Sequence, residues 1–517
     1  MNFPRRTLIV SLLWLLGGGL ALWVYLQGCA AMWPTNKFWG EDDDAKTYDQ
    51  KFYIKTAWDL CAGYADRADY VPRSRMPAYP WLLHLFLDTN RPEPEQFDIF
   101  KRLNITLSGL ALVGVGILSV RRLGAVLGAG VVLATAWTVF VFKAVLVQPE
   151  ISFYFLYFVL FLCMIGAFRR PGWRWAIALG AGAGLTHLVK GSALPNIAWF
   201  LVLLGGLALG RAWQQRKWTP LAAPACFLGA FLAVTGLYLV RSWAAYGSPF
   251  YSPHSRYYLW ADSAEESYAM EALNLSAQKP ALTVHNLHSP RIAHYLETKW
   301  LPDPVRRAEL EALVQAAGED GEVILEGAWD ILPTAGQWWR THGWREAVDR
   351  LWNGFFDEEQ GIWPRNVHHR NGYFWYLQAF GGMAIGSGLL MLVLKPTVVK
   401  RDFRANVLPI LWAAGSLGIS LLFYAWWAPV SDRNRFFLTL YLPLLMSAGM
   451  LIRWASLHLD WRSLHLPVLP LLKPLPLVCG AILILPLYRD AQRLLELDEP
   501  INKARPERTK AALQLPQ

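Results

Sequence analysis

The sequence predicts a polytopic α-helical membrane protein, and three observations carry that prediction. Of the 517 residues, 54% are hydrophobic and 17% charged, with a mean hydropathy of +0.23, too apolar for a soluble chain of this length. Apolar stretches long enough to cross about 30 Å of hydrocarbon recur along the chain. Basic clusters punctuate those stretches on alternate sides. A transmembrane β-barrel would instead show short alternating segments.

The stretches resolve into eleven spans, at about 7–27, 103–120, 124–146, 151–168, 174–190, 194–210, 219–240, 372–394, 405–427, 436–452 and 468–488. The first begins after Arg5 and Arg6 and ends in Leu26, Gln27, Gly28 and Cys29, which has the look of a lipoprotein signal. The apolar run 8–26 is long for a signal peptide, so a retained first span is expected. The short apolar piece between Trp81 and Leu87 is too brief to cross and is expected at the interface. Prolines 467, 470, 474 and 476 blur the last span.

Orientation follows from the basic residues. Arg5 and Arg6, Arg121 and Arg122, Arg169 and Arg170, Arg211 with Arg216 and Lys217, Lys395 with Lys400 and Arg401, and Arg453 with Arg462 all fall on one side. The positive-inside rule makes that side cytoplasmic, N-terminus included. The net charge of +10 then needs no nucleic-acid partner. Many of the 27 tryptophans flank spans, as interfacial anchors do. The chain divides into a transmembrane region 1–240 with a first outer loop 28–102, a large extracytoplasmic loop 241–371, C-terminal transmembrane helices 372–488 and a charged tail 489–517. An odd span count puts the tail outside. Within the large loop, 303–317 and 343–356 read as helices. The second gathers Trp344, Val348, Leu351, Trp352 and Phe355 on one face, a pattern suited to the bilayer surface.

The five cysteines (29, 61, 163, 226 and 479) show no C-x-x-C spacing, which argues against zinc. Cys163, Cys226 and Cys479 lie in apolar spans and are expected as packing residues; Cys29 and Cys61 share the outer side and are open to pairing. His368 and His369 lack the spaced carboxylates of a metal site. The triplets beginning at Asn104 and Asn274 fit glycosylation acceptors, a pattern common by chance.

The first outer loop holds the densest polar chemistry. It carries an acidic run (Glu41, Asp42, Asp43, Asp44), then Asp49 four residues before Tyr53, with Ala57 and Leu60 continuing one helical stripe. Asp49 is either a helix cap or a carboxylate presented at the membrane surface. The acidic run is either a solvated patch or a rival source of that carboxylate.

Asp49, Tyr53 and Ala57, followed by R-x-P-x-Y-P as Arg75, Pro77, Tyr79 and Pro80, resemble the first outer loop of GT-C glycosyltransferases, in particular the protein O-mannosyltransferase and aminoarabinose-transferase group. Gln148, Pro149 and Glu150 resemble that group's Pro-Glu turn. The stretch Gly184, Leu185, Thr186, His187, Leu188, Val189, Lys190, Gly191 is similar to its G-L-x-x-L-T-R/K segment. Arg241 to Pro249, with Tyr246 and Gly247, is similar to its R-N-x-x-x-F-G-x-P stretch. These marks cover roughly residues 1–260; the remainder is similar only in hydropathy. Tyr246 stands for Phe, Lys190 for a common Arg and Ala78 for a frequent Gly, and none of these removes a charge.

The resemblance implies a GT-C-type bundle of about 11 transmembrane helices in a bacterial inner membrane, with its active site on the outer face. The implied reaction inverts a sugar as it moves from a polyprenyl-phosphate donor to a lipid, glycan or protein acceptor of the envelope. The acceptor hydroxyl then needs a carboxylate base, for which Asp49 is the first choice and Asp42, Asp43 and Asp44 the alternatives. The departing lipid phosphate needs cations: Lys190, Arg241 and Arg75, each otherwise a snorkelling interfacial base or, for Arg75, a brace of the loop. Arg433 and Arg435 are an outer pair suited to lipid headgroups. Glu150 is either a helix N-terminal acid or a partner of the sugar or of Lys190. Tyr53 and Tyr79 either stack on a sugar or, by the better expectation, pack the loop. No cofactor is firmly implied, although the acidic run leaves room for a divalent cation. Two rival classes remain: an O-antigen polymerase or ligase, which would rely on outer Arg and His without an acidic first loop, and a transporter or flippase, which would carry mid-membrane charges and related halves.

Overall fold

The computed structural model describes residues 5–36, 45–63, 76–169, 172–246, 249–250, 281–283, 304–317, 322–324, 338–339, 342–356, 372–428 and 437–459; for residues 5–16, 35, 45–49, 245–246, 281–283, 306, 309–310, 314, 317, 322–324 and 372–374 it describes the backbone alone. The elements are α1 (Arg5–Met32), α2 (Ala45–Cys61), α3 (Ala78–His84), α4 (Glu93–Leu123), α5 (Ala125–Thr135), α6 (Val141–Ala144), α7 (Glu150–Ala167), α8 (Trp173–Val189), α9 (Leu194–Gln215) and α10 (Ala222–Tyr246). They continue with β1 (Ala281–Thr283), α11 (Pro304–Ala317), β2 (Glu322–Ile324), α12 (Trp344–Phe356), α13 (Gly372–Leu394), α14 (Pro396–Ala405), α15 (Val407–Trp427) and α16 (Leu438–His458). The two strands pair antiparallel, Leu282 opposite Val323, and no periodicity in the large loop announced them.

Eight helices among the described residues are long and apolar enough to cross a membrane, covering 93–123, 125–144, 150–167, 191–215, 219–244, 375–394, 407–427 and 438–458. The other three expected spans fare differently. Residues 7–27 lie within α1, which runs unbroken past Cys29. Residues 174–190 correspond to α8 (Trp173–Val189), whose 17 residues stand at the lower end of the length that crosses a bilayer. Residues 468–488 lie outside the described residues, as does the tail 489–517.

Local chemistry sets the ends. Pro94 near the N-terminus of α4 has no N–H to leave unsatisfied there, Glu93 and Glu95 favour its dipole, and Arg121 and Arg122 favour the other end. Gly124, at φ +85°, then turns the chain directly into α5. Between α5 and α6 the ladder widens into a π-helical turn over Ala136–Phe140.

The aromatic face of α7 forms the centre: Phe153, Tyr154, Tyr157, Phe158 and Phe161 are all buried, and α7 touches α4, α8, α15 and α16. Lipid is as apolar as these side chains, so burial alone drives little association; close packing and inter-helix hydrogen bonds do. Tyr157 bonds Ser416 at 2.9 Å, Thr138 bonds Tyr441 at 2.9 Å, Tyr25 bonds Ser108 at 2.7 Å, and Asn196 donates to Ser420 at 2.8 Å. Gly180 and Gly184 let α8 meet α10 backbone to backbone; a Cβ on Gly180 would strike the Phe227 carbonyl oxygen. Leu110, Val113, Ile117, Leu237, Val240 and Val393 face outward, the apolar exterior that a bilayer requires.

One expectation about the cysteines needs correction. Cys29 and Cys61 are both free; the first is buried and the second exposed. Of the cysteines expected to pack, Cys163 is exposed on the outer face of α7 and Cys226 is half-buried, while Cys479 lies outside the described residues. The apolar face expected for α12 is present, but it is not the side that is buried in the bundle. Ala347, Arg350 and Gly354 are its buried positions, Leu351 and Phe355 are half-buried, and Trp344, Val348 and Trp352 are exposed. Gly354 seats α12 on the Ala425 carbonyl, where any side chain would collide. Arg350 donates from Nε to the Trp426 carbonyl at 3.1 Å and stacks over the Trp426 ring at 4.7 Å. A buried cation at the C-terminal end of α15 is favoured by the helix dipole.

Candidate functional site at one end of the bundle

The site forms around an irregular stretch, 145–149, that links α6 to α7. Its backbone groups have left one helix and not yet entered the next, so they need partners from elsewhere. Three amide side chains supply them. Asn36 donates to the Val145 carbonyl at 2.6 Å, Gln50 accepts from the Val147 N–H at 2.7 Å, and Asn104 donates to the Leu146 carbonyl and to the Gln148 carbonyl at 3.3 Å. Asn36 and Gln50 also bond each other reciprocally at 3.0 and 2.9 Å. Lys101 closes the network: its buried ammonium donates to the Asn36 carbonyl at 3.1 Å, pairs with Asp98 at 3.0 Å and lies 4.1 Å over the Trp33 ring.

Helix α2 is amphipathic, and its buried residues Gln50, Tyr53, Ile54, Ala57 and Leu60 lie on one side. Tyr53 meets Tyr79 of α3 edge to face, with centroids 5.4 Å apart, and both belong to a separate small core with Leu83, Phe97, Phe100 and Val147. The Tyr79 hydroxyl donates to Asn104 Oδ1 at 3.0 Å. Burial, and after it the nearby Glu150 carboxylate and Tyr53, raise the Tyr79 phenol well above its usual range, so it serves as a neutral donor. Both tyrosines therefore pack the loop. The short helix α3 leaves Trp81, Leu85 and Phe86 exposed, in keeping with an interfacial element.

Glu150 opens α7 and Lys190 closes α8. The antiparallel pair brings the carboxylate and ammonium to 3.4 Å, with side chains 5% and 15% exposed. Each charge sits at the helix end whose dipole favours it. The Lys190 ammonium also lies 5.7 Å from the Phe153 ring, one turn into α7. Gly191 follows immediately, close enough to Met76 that a Cβ there would touch its terminal methyl at 3.4 Å. Thus Tyr53, Tyr79, Glu150 and Lys190 are brought to one end of the bundle. Arg241 is half-buried, five residues before the end of α10, the helix that runs against α8.

Asp49 lies in α2 directly before Gln50, and of its side chain nothing is described. Glu41, Asp42, Asp43, Asp44, Arg75, Asn274, His368, His369, Arg433 and Arg435 lie outside the described residues. Asn104 is buried and fully engaged, which removes it as a glycosylation acceptor. Among the described residues no group of three or more His, Cys, Asp or Glu is placed to hold a metal ion.

Sequence reasoning missed the amides Asn36, Gln50 and Asn104, the buried Lys101, and His187. The last is 3% exposed, three residues before Lys190, between the rings of Phe231 and Phe250 at 5.9 Å each. Its signal in the sequence was a polar ring in an otherwise apolar helix end. The chain matches no family model, curated protein or solved structure.

Proposed function

We propose that the protein is an inverting glycosyltransferase of GT-C type, with eleven spans, a cytoplasmic N-terminus and an extracytoplasmic site in a bacterial inner membrane. It moves one sugar from a polyprenyl-phosphate donor to an envelope acceptor. The observation that supports this reading best is the docking of the first loop, through Gln50 and Tyr79, onto the stretch that leads to the Glu150–Lys190 pair. The four motifs that resemble the family are far apart in sequence, and parts of three of them meet at this one place.

In this mechanism Asp49 accepts the proton of the attacking hydroxyl. Lys190, oriented by Glu150, faces the phosphate oxygens that gain charge as the sugar departs, a task that suits a point cation. Arg241 and Arg75 add positive charge around the leaving lipid. Gln50 contributes by holding the helix that carries Asp49.

The test is transfer of radiolabelled sugar from a panel of polyprenyl-phosphate donors by purified protein, wild type against Asp49→Asn. A general base contributes about 10²–10⁴-fold, so the variant should lose that much rate while melting at the wild-type temperature. Full activity in Asp49→Asn removes Asp49 from the role. No transfer from any donor, with flux of lipid-linked glycan across vesicles instead, makes the protein a transporter.

A further inference from the structure

We infer that His187 is part of a binding site for the phosphate of a polyprenyl-phosphate lipid, one helical turn further into the bundle than Lys190. The inference rests on the donor class proposed above and assigns it a residue that the motif comparison left without a role.

The imidazole is 3% exposed, and neither ring nitrogen makes a hydrogen bond with a described residue. The Gly191 backbone approaches it without closing a bond of good geometry. A buried polar group without a partner lowers stability, and native proteins keep such groups where a ligand, ion or water completes them. Phenylalanine would fill the same space between Phe231 and Phe250 without that cost.

The position says what the missing partner is. Lys190 caps the C-terminus of α8 in an extended conformation, and a Cβ on Gly191, the next residue, would lie 4.0 Å from His187 Cε1. The imidazole and the Lys190 backbone are therefore neighbours at the end of α8. The Lys190 charge is already opposed by Glu150 at 3.4 Å, so an anion that binds there needs a further donor. A neutral imidazole has one N–H to give and no charge of its own to bury. The rings of Phe153, Phe231 and Phe250 around these two groups suit the first isoprene units of a lipid rather than a free anion. Phe250 is 46% exposed, so the histidine is covered on that side by a ring at the protein surface.

The experiment is binding of sugar-free polyprenyl phosphate to the purified full-length protein in detergent, read by tryptophan fluorescence. Polyprenol and inorganic phosphate serve as comparison ligands, and unliganded melting temperatures are recorded alongside. Wild type should bind polyprenyl phosphate in preference to both. His187→Phe should bind it about tenfold more weakly or worse, the effect of one hydrogen bond to a charged group, yet melt no lower than wild type. His187→Gln, which keeps a donor, should retain more affinity than His187→Phe. Equal affinity in wild type and His187→Phe, equal loss in both variants, or a lower melting temperature for His187→Phe each overturns the inference and leaves the donor class standing. Failure of wild type to bind polyprenyl phosphate overturns the donor class, and the inference falls with it.

Discussion

The Glu150–Lys190 pair offers the sharpest test of how this site is built. At 3.4 Å and an effective dielectric of about 20, the two charges attract by about 5 kcal/mol before the loss of hydration is counted. Side chains only 5% and 15% exposed have lost most of that hydration, so the net contribution is far smaller. Removing one partner leaves the other buried charge without this opposite charge, which costs about 3–5 kcal/mol. Glu150→Gln and Lys190→Met should each destabilise by about that amount. The double variant, with neither charge left, should be much less destabilised than the sum, giving a coupling of about 2–3 kcal/mol in a double-mutant cycle. The assay is denaturant unfolding of the four purified proteins in one detergent, with sugar transfer measured in parallel. Transfer should stay lost in the double variant even as stability returns, because the cation is gone. Additive destabilisation, with coupling below about 0.5 kcal/mol, would mean the pair is a loose surface contact and would refute the argument.

Gln50→Leu removes the partner of Asn36 and of the Val147 N–H; it should cost about 1–3 kcal/mol in thermal unfolding and slow sugar transfer, since Asp49 is the adjacent residue. Gly180→Ala should cost about 1–3 kcal/mol because its methyl meets the Phe227 carbonyl, whereas Gly182→Ala, whose Cβ would meet only Leu160 at 4.0 Å, should be neutral or stabilising in the same melt. Asp402 accepts from Trp454 Nε1 at 2.9 Å and from Arg401 Nε at 2.9 Å, and these bonds, the Trp454 one first, hold its carboxyl below the usual range. A lowered folded-state pKa stabilises above the unfolded value and is lost as pH falls through the folded one. The melting difference between wild type and Asp402→Asn should therefore be constant above about pH 5 and shrink as pH falls below about 4. A difference unchanged down to pH 3 would refute it.

How much of this was legible in the sequence depends on which physical signal each feature leaves. The spans were legible because a bilayer demands long apolar helices, and eight of them stand where hydropathy put them. Helices α11 and α12 were legible from 3.6-residue periodicity. The burial of Arg350 was not, because it depends on the Trp426 carbonyl some 76 residues away. Within the site, Tyr53 and Ala57 were readable as one helical stripe from spacing, and Tyr53 and Tyr79 were each expected to pack the loop. The contact of Glu150 with Lys190 was one of the alternatives the sequence left open for Glu150, since both fall at the same end of adjacent spans. Gln50 was invisible: an amide beside an aspartate in a polar loop looks like solvated surface until the Val147 N–H is seen opposite it. The burial of Asn104 was invisible for a related reason, since a glycosylation triplet says nothing about burial.

The amide network also explains why a loop this polar can hold a fixed position at the end of the bundle. Irregular backbone near a bilayer survives only where protein or water satisfies its polar groups. The 145–149 stretch meets that demand with side chains from Asn36, just beyond α1, from α2 and from α4, all outside its own helices. The dependence is mutual. Among the described residues, Tyr53, Ile54 and Ala57 of α2 pack in the small core beside Val147, and Gln50 ties the same helix to the Val147 N–H, so its placement relies on the stretch that it satisfies. Loosening either side releases both. A substitution at Asn36 or Asn104, neither of which need touch a substrate, should therefore depress transfer together with stability, whereas Asp49→Asn should depress transfer alone. That contrast separates a residue that positions the base from the base itself.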